Sequence, residues 1–465
     1  MTSDSVWPPI LSLQEVLLTP VEPASFPSAI LRYRNDRAAD EVGLGTLSDE
    51  DWLAHFAQFT PLADNLPGPM AMAYHGHQFQ VYNPDIGDGR GFLFAQLEGA
   101  DGRLMDLGTK GSGQTPFSRT GDGRLTLKGA YREILATEML EALGVPTSRT
   151  LSVIETGEKL ARHDEPSPAR SAVLVRLNHS HIRFGSFQRL TALDRTDDLA
   201  SLLSYSIQNF FPDLSDDDAA GFLEAVSHRM ATMSARMMAA GFVHGVLNTD
   251  NMNITGESFD YGPWRFAPTV DPNLTAAYFD HQGLYAFGRQ PQAIYWNLAA
   301  LADALRPLGD AETLQKVLEV FPDAYAPAFS DALCRRLGVD DAYPDDPSFA
   351  SDLFTFLHNE ELPFERAIFD LFGGSAGQEK RARSRLASCY EDEGRAILAR
   401  LDALTPAAPE RLNHPIFAEE PPTLIIDEVE EIWAAIADRD DWQPFAAKCA
   451  KIRAYGDALA LPAAQ

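Results

Sequence analysis

Residues 244–262, HGVLNTDNMNITGESFDYG, carry the side chains of this chain that are best suited to metal and proton chemistry. Asn251 and Asp260 offer oxygen ligands of the kind that Mg²⁺ prefers, and the phosphates of a nucleotide would complete the coordination octahedron. Asp250 offers a carboxylate that can accept a proton. Taken alone, the stretch is equally compatible with ordinary turns, in which Asn and Asp side chains cap the backbone without any metal.

The order of these residues matches the active-site loops of kinase-like enzymes, where an Asn and then an Asp-aromatic-Gly hold the metal ion. Asp260-Tyr261-Gly262 occupies the second of these positions. Loops of this kind that begin with His-Gly usually continue with the catalytic Asp, whereas this chain has Val246 at that place. The sequence therefore predicts a metal and phosphate site that lacks the usual base.

Two glycine-rich turns that share the letters GDGR occur near one lysine, Lys110. The first turn spans residues 87–91 and the second spans residues 121–124. Glycines allow a backbone to approach phosphates closely, and Arg90 adds positive charge. A single turn of this type is most often only part of a hairpin, but two of them beside one lysine favour phosphate binding.

A predicted hairpin and a predicted helix would place a lysine–glutamate pair at this site. Strands at residues 92–97 and 104–107 flank a turn, and Lys110 follows the second strand. A helix at residues 126–143 carries Glu133 and ends at a glycine that precedes a proline. In kinase-like folds a strand lysine pairs with a helix glutamate to orient phosphates, although a lone helix glutamate is more often solvent-exposed.

Two arginines come next, on a further pair of predicted strands. Strands at residues 151–153 and 171–177 enclose a predicted loop at residues 155–169. Arg176 lies near the end of the second strand, and Arg183 follows it. An arginine at the end of an apolar strand needs an anionic partner, because burying an unpaired charge is very unfavourable. For either arginine alone, a structural salt bridge is the simpler interpretation and a phosphate is the alternative.

The rest of the chain is predicted to be mainly helical, after an irregular proline-rich segment at residues 1–45. The predicted helices lie at residues 48–56, 197–211, 215–240 (with Ser215 and Asp218 as capping residues), 292–305, 427–437 and 444–455, with further helix up to about residue 404. We interpret the basic run at residues 380–385 as a solvated helix face. We expect His75 and His77 to make structural hydrogen bonds near a turn rather than to bind zinc.

Composition and charge argue against some classes of binding partner, above all nucleic acids and membranes. The chain has 465 residues, of which 45% are hydrophobic, enough for a large core or for two to three domains. Its net charge of −29 argues against nucleic acid, whose phosphates would repel such a surface. The N-terminus lacks a signal-peptide pattern, no apolar run reaches membrane-spanning length, and three widely spaced cysteines indicate neither zinc nor disulfides. We therefore expect a cytoplasmic protein with no nucleic-acid and no membrane partner.

Several longer motifs occur together and carry a family resemblance. YNPDIGDGRG, TKGSGQTPFSRTGDGR, the pair of arginines, GFVHGVLNTDNMNITGESFDYGP and the later DHQG, YAF and QP resemble the selenoprotein O family of protein adenylyltransferases, from about residue 74 to residue 305. The resemblance implies an α+β, protein-kinase-like bilobal fold, with a small β-rich N-lobe that holds the lysine–glutamate pair and a larger, mainly helical C-lobe. The implied parts are an N-terminal extension at residues 1–70, the N-lobe at 71–190, the C-lobe with the catalytic loop at 191–405, and a C-terminal helical extension at 406–465.

The resemblance also implies an unusual reaction for such a fold. ATP binds in a flipped orientation with Mg²⁺ or Mn²⁺, its terminal phosphates are buried, and AMP moves to a Ser, Thr or Tyr hydroxyl of a protein. Self-modification, and transfer of UMP with manganese, are compatible with the same site. By matching motifs, the residues of the nucleotide site are Gly87, Gly89, Arg90, Lys110, Glu133, Asp122, Gly123, Arg176, Arg183 and Asp260. The implied metal ligands are Asn251 and Asp260, and the implied proton acceptor is Asp250.

Two other functions remain open on the sequence. A small-molecule phosphotransferase of kinase-like type would need a base near the γ-phosphate, and Val246 speaks against it. A catalytically silent nucleotide-binding scaffold would not need to keep both metal ligands together with Lys110 and Asp250.

The chain also departs from the family pattern at four places. Leu284 stands where an arginine is common, and residues 25–43 and 265–272 match poorly. Family members often carry a cysteine or selenocysteine close to the C-terminus, whereas Cys449 is the nearest cysteine here, so no redox role is expected for the tail. These departures bear on substrate selection more than on the chemistry.

Overall fold

A sheet-rich N-terminal region and a helical C-terminal region make up the structure, a computed structural model that describes residues 7–163 and 165–461. The chain is therefore of mixed α and β composition, as predicted. The first six and the last four residues, which belong to the predicted terminal extensions, lie outside the described residues.

Twelve strands occur within residues 7–163 and 165–461. They are β1 (Leu18–Pro20), β2 (Ile30–Arg34), β3 (Met70–Met72), β4 (Gly76–Gln78), β5 (Val81–Asn83), β6 (Gly91–Glu98), β7 (Leu104–Lys110), β8 (Leu125–Thr126), β9 (Arg149–Leu160), β10 (Ala169–Asn178), β11 (Phe242–Val243) and β12 (Arg265–Phe266). An antiparallel sheet has the order β1-β3-β6-β7-β10-β9-β2, with β8 also paired to β10. The pairs β4–β5 and β11–β12 form two small sheets. The central strands are buried almost throughout, because other elements cover both faces of the large sheet.

The strand predictions were confirmed for the hairpin that ends at Lys110 and only in part for the next pair of strands. The predicted hairpin at 92–107 is β6 and β7, and Lys110 is the last residue of β7 rather than a residue after it. The predicted loop at 155–169 was wrong in its first part, since β9 continues to Leu160 and pairs there with β10. The charged residues Glu155 and Lys159 of that part lie on β9 and are paired with β10.

The segment at residues 1–45 was predicted to be irregular, and this prediction was wrong for its described part, residues 7–45; residues 1–6 lie outside the described residues. Strand β1 pairs with β3, and strand β2 pairs with β9. Both pairings join segments far apart in the sequence, so a local pattern of hydrophobic residues does not reveal them.

Seventeen α-helices occur in the described parts of the chain. They are α1 (Gln14–Leu17), α2 (Asp36–Glu41), α3 (Asp49–Phe56), α4 (Leu127–Ala142), α5 (Phe184–Ala192), α6 (Thr196–Phe210), α7 (Ala219–Ala239), α8 (Gln290–Leu305), α9 (Ala311–Val317), α10 (Val320–Leu337), α11 (Phe349–Asn359), α12 (Phe364–Leu371), α13 (Gln378–Ala382), α14 (Ala387–Glu391), α15 (Arg395–Ala403), α16 (Ile426–Arg439) and α17 (Gln443–Leu459). Within the same residues, no helix combines the length and the apolar composition needed to cross a lipid bilayer.

Side-chain caps explain where the helices near the site begin. Thr126 accepts a hydrogen bond from the Gly129 N–H at 3.1 Å and starts α4, which confirms the predicted helix. The predicted start of α7 at Ser215 was wrong, because Asp218 is itself the cap and accepts from the Gly221 N–H at 2.8 Å. The other predicted helices were confirmed to within a few residues.

The basic run at residues 380–385 was predicted to be a solvated helix face, and this was wrong for two of its charged side chains. Lys380 donates from Nζ to the Phe369 carbonyl, and its Nζ lies 4.7 Å from the centre of the Phe369 ring. Burial lowers the pKa of Lys380 to about 7. Arg381 is buried and pairs with Asp402 at 2.8 Å. Charged residues on a short helix between other helices pack inward by burying their aliphatic stems.

Helix α4 is held by both terminal parts of the chain. Glu138 on α4 accepts hydrogen bonds from Tyr33 of β2 and from Arg453 of α17, the latter at 2.7 Å. Tyr131 on α4 donates to the Val429 carbonyl of α16 at 3.0 Å. The helix that carries Glu133 is thus fixed between the sheet and the C-terminal helices.

Candidate active site

A cavity of about 750 Å³ lies between strands β6, β7 and β10 on one side and the 244–262 stretch on the other. Its volume is within the range of small-molecule sites. Seven basic and four acidic side chains line it: Arg90, Lys110, Arg119, Arg124, Arg162, Arg176 and Arg183, against Asp88, Asp122, Asp250 and Asp260. A positive surplus in a chain of net charge −29 favours binding of an anion.

Lys110 and Glu133 meet at the inner end of this cavity. Strand β7 delivers Lys110, and helix α4 delivers Glu133, which is 1% exposed. The Lys110 Nζ lies 2.6 Å from Glu133 Oε2 and 3.2 Å from Asp260 Oδ1. Two carboxylates therefore fix the ammonium group in place in a buried position.

Arg176 points from β10 into the same inner end. Its Nη1 donates to Asp260 Oδ1, and its Nε donates to His181 Nε2 at 3.0 Å. Burial lowers the pKa of His181, so the neutral ring can accept this hydrogen bond. Arg176 thus has the salt bridge that its sequence position suggested, while it also lines the cavity.

Arg183 is the residue before α5 and is 1% exposed. Its Nη1 donates to the Asp250 carbonyl at 3.0 Å, and its guanidinium lies 4.1 Å from the centre of the Tyr74 ring. Its Nη2 lies 3.5 Å from Asp88 Oδ1 and has no hydrogen-bond partner among the described residues. A desolvated arginine with an unused N–H is suited to an anionic ligand such as a phosphate.

Asp260 is the carboxylate on which these cations converge. Burial alone would raise the pKa of Asp260, but the charges of Arg176, Lys110 and Arg183 hold it well below its usual range. Its backbone has φ of 61°, a left-handed conformation that is uncommon outside glycine and that recurs at functional sites. The residue is therefore ionised, and the surrounding contacts determine its position.

Asp250 and Asn251 lie in the 3₁₀ turn Thr249–Asn251, across the cavity. Asp250 Oδ1 is buried without a hydrogen-bond partner in the described structure. Burial raises the pKa of Asp250 to about 6, although the charge of Arg183 opposes this. Asn251 donates from Nδ2 to the Val246 carbonyl at 2.9 Å, which leaves its Oδ1 as the atom available to a ligand.

The residues present fit a divalent cation that arrives with a nucleotide. The side chains available as ligands are the Asn251 amide oxygen and the Asp260 carboxylate, both oxygen donors that line the cavity. In the described residues there is no group of three or more His, Cys, Asp or Glu that could hold a metal ion by itself. Phosphate oxygens would therefore have to complete the coordination.

The glycine-rich turns form the mouth of the cavity. A side chain at Gly87 would come within 2.4 Å of the Phe117 ring, and one at Gly123, where φ is 70°, would come within 2.3 Å of the Gly113 carbonyl. Gly89 lines the same wall, between these turns. The two GDGR turns thus pack closely and present backbone to the cavity.

Two charged residues predicted for the site lie at this mouth rather than with the inner cations. Arg90 is exposed and lines the cavity. Asp122 is also exposed and pairs with Arg162 at 2.7 Å. Arg90 and Asp122 therefore line the same cavity as the inner charged groups. Asp122 forms its ion pair with Arg162 and not with the inner cations.

Several lining residues were missed by reasoning from the sequence. Asp88 lies inside the first GDGR turn, and Tyr74 and Gln78 flank the two histidines, so those motifs could have indicated them. Arg162 lies in the part of the chain that was predicted to be an ordinary loop, and no local signal marks it.

The comparisons with known proteins agree with a nucleotide site. The family model described as Protein adenylyltransferase SelO matches residues 3–453. The chain is 41% identical over 466 residues to the protein nucleotidyltransferase YdiU of Synechocystis sp., which covers 94% of this chain and 95% of that relative. It is 42% identical over 456 residues to the YdiU of Gloeobacter violaceus, covering 94% and 92% of the two chains. The YdiU of Vibrio cholerae is 38% identical over 362 residues, or 77% and 73%. The likeness thus extends well beyond the part from residue 74 to residue 305.

Proposed function

The chain belongs to the SelO family of protein adenylyltransferases, and from that premise we propose that it transfers AMP from ATP to Ser, Thr or Tyr hydroxyls of proteins. Its relatives are named protein nucleotidyltransferases, so the chain is an enzyme that transfers a nucleotide. Such a reaction implies an ATP-type substrate and a divalent metal ion. The acceptors include hydroxyls of the enzyme itself in this proposal.

The proposal includes a protein-kinase-like arrangement of two lobes. Strands β6, β7 and β10 with helix α4 would form the nucleotide-binding lobe, at residues 71–190. The 244–262 stretch would belong to the helical lobe, at residues 191–405. The contact between Lys110 and Glu133 at 2.6 Å is the pairing that such a fold requires, and it supports this assignment.

The convergence of three cations on Asp260, in the cavity that Asp250 also lines, is the observation that carries the proposal. Lys110, Arg176 and Arg183 lie within 3.5 Å of Asp260 oxygens. This much charge suits a pyrophosphate leaving group better than the single phosphoryl group that a kinase transfers. The terminal phosphates would therefore bind at the inner end, which directs the α-phosphate towards Asp250.

In the proposed step, an acceptor hydroxyl oxygen bonds to the α-phosphorus, and the bond from that phosphorus to the bridging oxygen of the β-phosphate breaks. The hydroxyl proton passes to Asp250, whose Oδ1 has no partner within the described residues. Arg176 and Arg183 stabilise the charge that develops on the pyrophosphate. A divalent cation bound by Asn251 and Asp260 would supply further neutralisation of the phosphates.

Val246 supports the same assignment. It takes the place where a kinase-like loop has its base, and it lines the cavity together with Asp250. A valine cannot accept a proton, so a hydroxyl poised for the γ-phosphate would lack a base at this position. Asp250, next to the proposed metal ligand Asn251, lines the cavity and can accept a proton.

Labelling with two forms of ATP tests the proposal. The purified protein is incubated with acceptor proteins, with Mg²⁺ or Mn²⁺, and with ATP labelled at either the α- or the γ-phosphate. We expect covalent α-label on protein and no covalent γ-label. Covalent γ-label without α-label would overturn the proposal in favour of a phosphotransferase. Nucleotide binding without either label would overturn it in favour of a silent scaffold.

A further inference from the structure

The hairpin of β4 and β5 lies against the turn that contains Asp250. Its strands pair with His77 opposite Tyr82, and its two turn residues, Phe79 and Gln80, have φ of 49° and 63°. Two successive residues with positive φ define the tight turn that matches the twist of a two-stranded hairpin. The hairpin is therefore a firmly shaped element rather than a loose loop.

Two backbone N–H groups of this hairpin donate to side chains of the Asp250 turn. The His77 N–H donates to Thr249 Oγ1 at 2.7 Å, and the Phe79 N–H donates to Asn248 Oδ1 at 3.0 Å. Tyr285 also donates from its hydroxyl to Asn248 Oδ1, at 2.7 Å. The two residues that precede Asp250 are thus held by hydrogen bonds through their side chains.

A buried glutamine completes this network. Gln188 of α5 is 5% exposed, and its Oε1 accepts from Thr249 Oγ1 at 2.7 Å. Its Nε2 lies 2.8 Å from His77 Nδ1. The Thr249 hydroxyl therefore accepts one hydrogen bond and donates another, and it has no contact with solvent.

The packing leaves little freedom at this contact. A side chain at Gly76 would lie 3.0 Å from Thr249 Oγ1 and 3.3 Å from Asp250 Cβ. A side chain at Gly185 would lie 2.0 Å from the His75 carbonyl oxygen. The hairpin, α5 and the turn therefore pack so closely that there is little room for a side chain at Gly76 or at Gly185.

Asp250 depends on these neighbours for its orientation. Its Oδ1 has no hydrogen-bond partner within the described residues, so that oxygen is not fixed by a contact of its own. The Asp250 carbonyl accepts from Arg183, which fixes the end of the turn but not its start. The start of the turn is fixed through Thr249 and Asn248.

We propose that Thr249 and Gln188 are positioning residues for AMP transfer, which together with the β4–β5 hairpin keep the Asp250 carboxylate directed at the nucleotide cavity. This inference rests on the proposed function. Its physical basis is that a displacement of about 1 Å in a reacting group, caused at a distance, can lower turnover by about 10²-fold.

Isosteric substitutions at Thr249 separate positioning from folding. Thr249→Val keeps the shape but removes the hydroxyl, and we expect turnover to fall by about 10- to 100-fold while the ATP dissociation constant stays within about twofold. Thr249→Ser keeps the hydroxyl, and we expect it to retain most of the turnover. Thr191→Val is the matched control, because Thr191 lies on α5, as Gln188 does, and its hydroxyl donates to the Ala304 carbonyl at 2.6 Å rather than to the turn.

A double-mutant cycle tests whether the two residues act together. Gln188→Leu removes the acceptor of the Thr249 hydroxyl, and we expect a loss of turnover similar to that of Thr249→Val. If both residues act through one network, the double variant should lose little more than the worse single variant. Losses that multiply would contradict a shared role.

Hydrogen exchange provides a readout that needs no nucleotide. In Thr249→Val the His77 N–H loses its acceptor, so exchange in the peptide around residues 76–83 should accelerate by about tenfold, the factor for one lost hydrogen bond. Thr191→Val should leave that peptide unchanged. Equal exchange rates in the wild type and in Thr249→Val would contradict the hydrogen bond from the His77 N–H to the Thr249 hydroxyl.

The outcomes separate this inference from the proposed function. Absence of α-label in the wild type would defeat the proposed function, and exchange alone would then decide whether the hairpin holds the turn. Normal turnover in Thr249→Val would overturn the positioning role while leaving AMP transfer in place. A parallel loss of ATP affinity and turnover would also overturn it, because it would indicate general damage to the site.

Discussion

The inner end and the mouth of the cavity are built in different ways. At the inner end, Lys110, Arg176 and Arg183 each have at least one charged partner and are almost completely buried. At the mouth, the glycine-rich turns supply backbone, and the ion pair of Asp122 with Arg162 is open to solvent. Charge interactions are much stronger where water is excluded. We therefore expect the buried charges at the inner end to contribute most to catalysis, and the turns at the mouth to contribute mainly to the shape of the cavity.

Loss of Asp260 is expected to have the largest effect. Asp260→Ala removes the carboxylate shared by three cations and one of the two proposed metal ligands, so AMP transfer should fall to background. Transfer of α-label measures this. Asp260→Asn retains the size of the side chain and serves as the matched variant if the alanine variant unfolds. Near-normal activity of a folded variant would show that the inner end does not hold the metal.

Loss of the proposed base is expected to come next. Asp250→Asn should lower turnover by roughly 10²–10⁴ and leave ATP affinity nearly unchanged, the usual range for a missing general base. Steady-state rates and nucleotide titrations measure the two quantities. If Asp250 only caps the turn, an asparagine would cap it almost as well, and turnover would fall only slightly.

A second substitution sharpens the Asp250 experiment. Asp250→Asn combined with Val246→Asp places a carboxylate where a kinase-like loop has its base. We expect no recovery of AMP transfer, because that position faces a different phosphate in the proposed orientation. Recovery would refute Asp250 as the acceptor of the proton.

Removal of one inner arginine should have a smaller effect. Arg176→Ala or Arg183→Ala should cost about 2–4 kcal/mol of transition-state stabilisation, the scale for one lost electrostatic donor. The ratio of kcat/KM values measures this, with Arg176→Lys as a variant that keeps the charge. A complex with an ATP analogue should show the terminal phosphates near both arginines. A γ-phosphate directed past Asp250 would refute the flipped orientation.

The smallest effect is expected at the mouth. Asp122→Ala removes an exposed ion pair with Arg162, and exposed pairs contribute only about 0–1 kcal/mol. We expect a change of a few-fold in the KM for ATP and no change in kcat. A loss of kcat comparable to that of Arg176→Ala would abolish the distinction between the two ends.

Sequence patterns were sufficient for parts of the structure that local chemistry determines. The turn between two apolar runs predicted the hairpin that ends at Lys110, and the glycine before a proline predicted where the helix ends. The predicted pair of Lys110 with Glu133 is present at 2.6 Å. Caps, turns and periodic apolar residues are local signals, so one sequence reveals them.

Contacts between remote segments could not be predicted in this way. The pairing of β2 with β9, the contact of Arg162 with Asp122 and the inward packing of Lys380 each depend on tertiary neighbours. The surroundings of Asp250 could not be predicted for the same reason. The hairpin that contacts its turn lies about 170 residues earlier in the chain, as the hydrogen bond from the His77 N–H to Thr249 shows. Residue types at these positions are ordinary, and only their placement gives them a role.

The attachment of helix α4 has a consequence for how activity can be controlled. Kinase-like enzymes are commonly switched by movement of the helix that carries the lysine's glutamate partner. Here Tyr33 and Arg453 both bond Glu138 on that helix, and Tyr131 bonds α16. A helix clamped by both terminal parts of the chain cannot swing out without breaking those bonds. We therefore expect changes in the output of this enzyme to follow the supply of nucleotide and acceptor rather than an on–off motion of this helix.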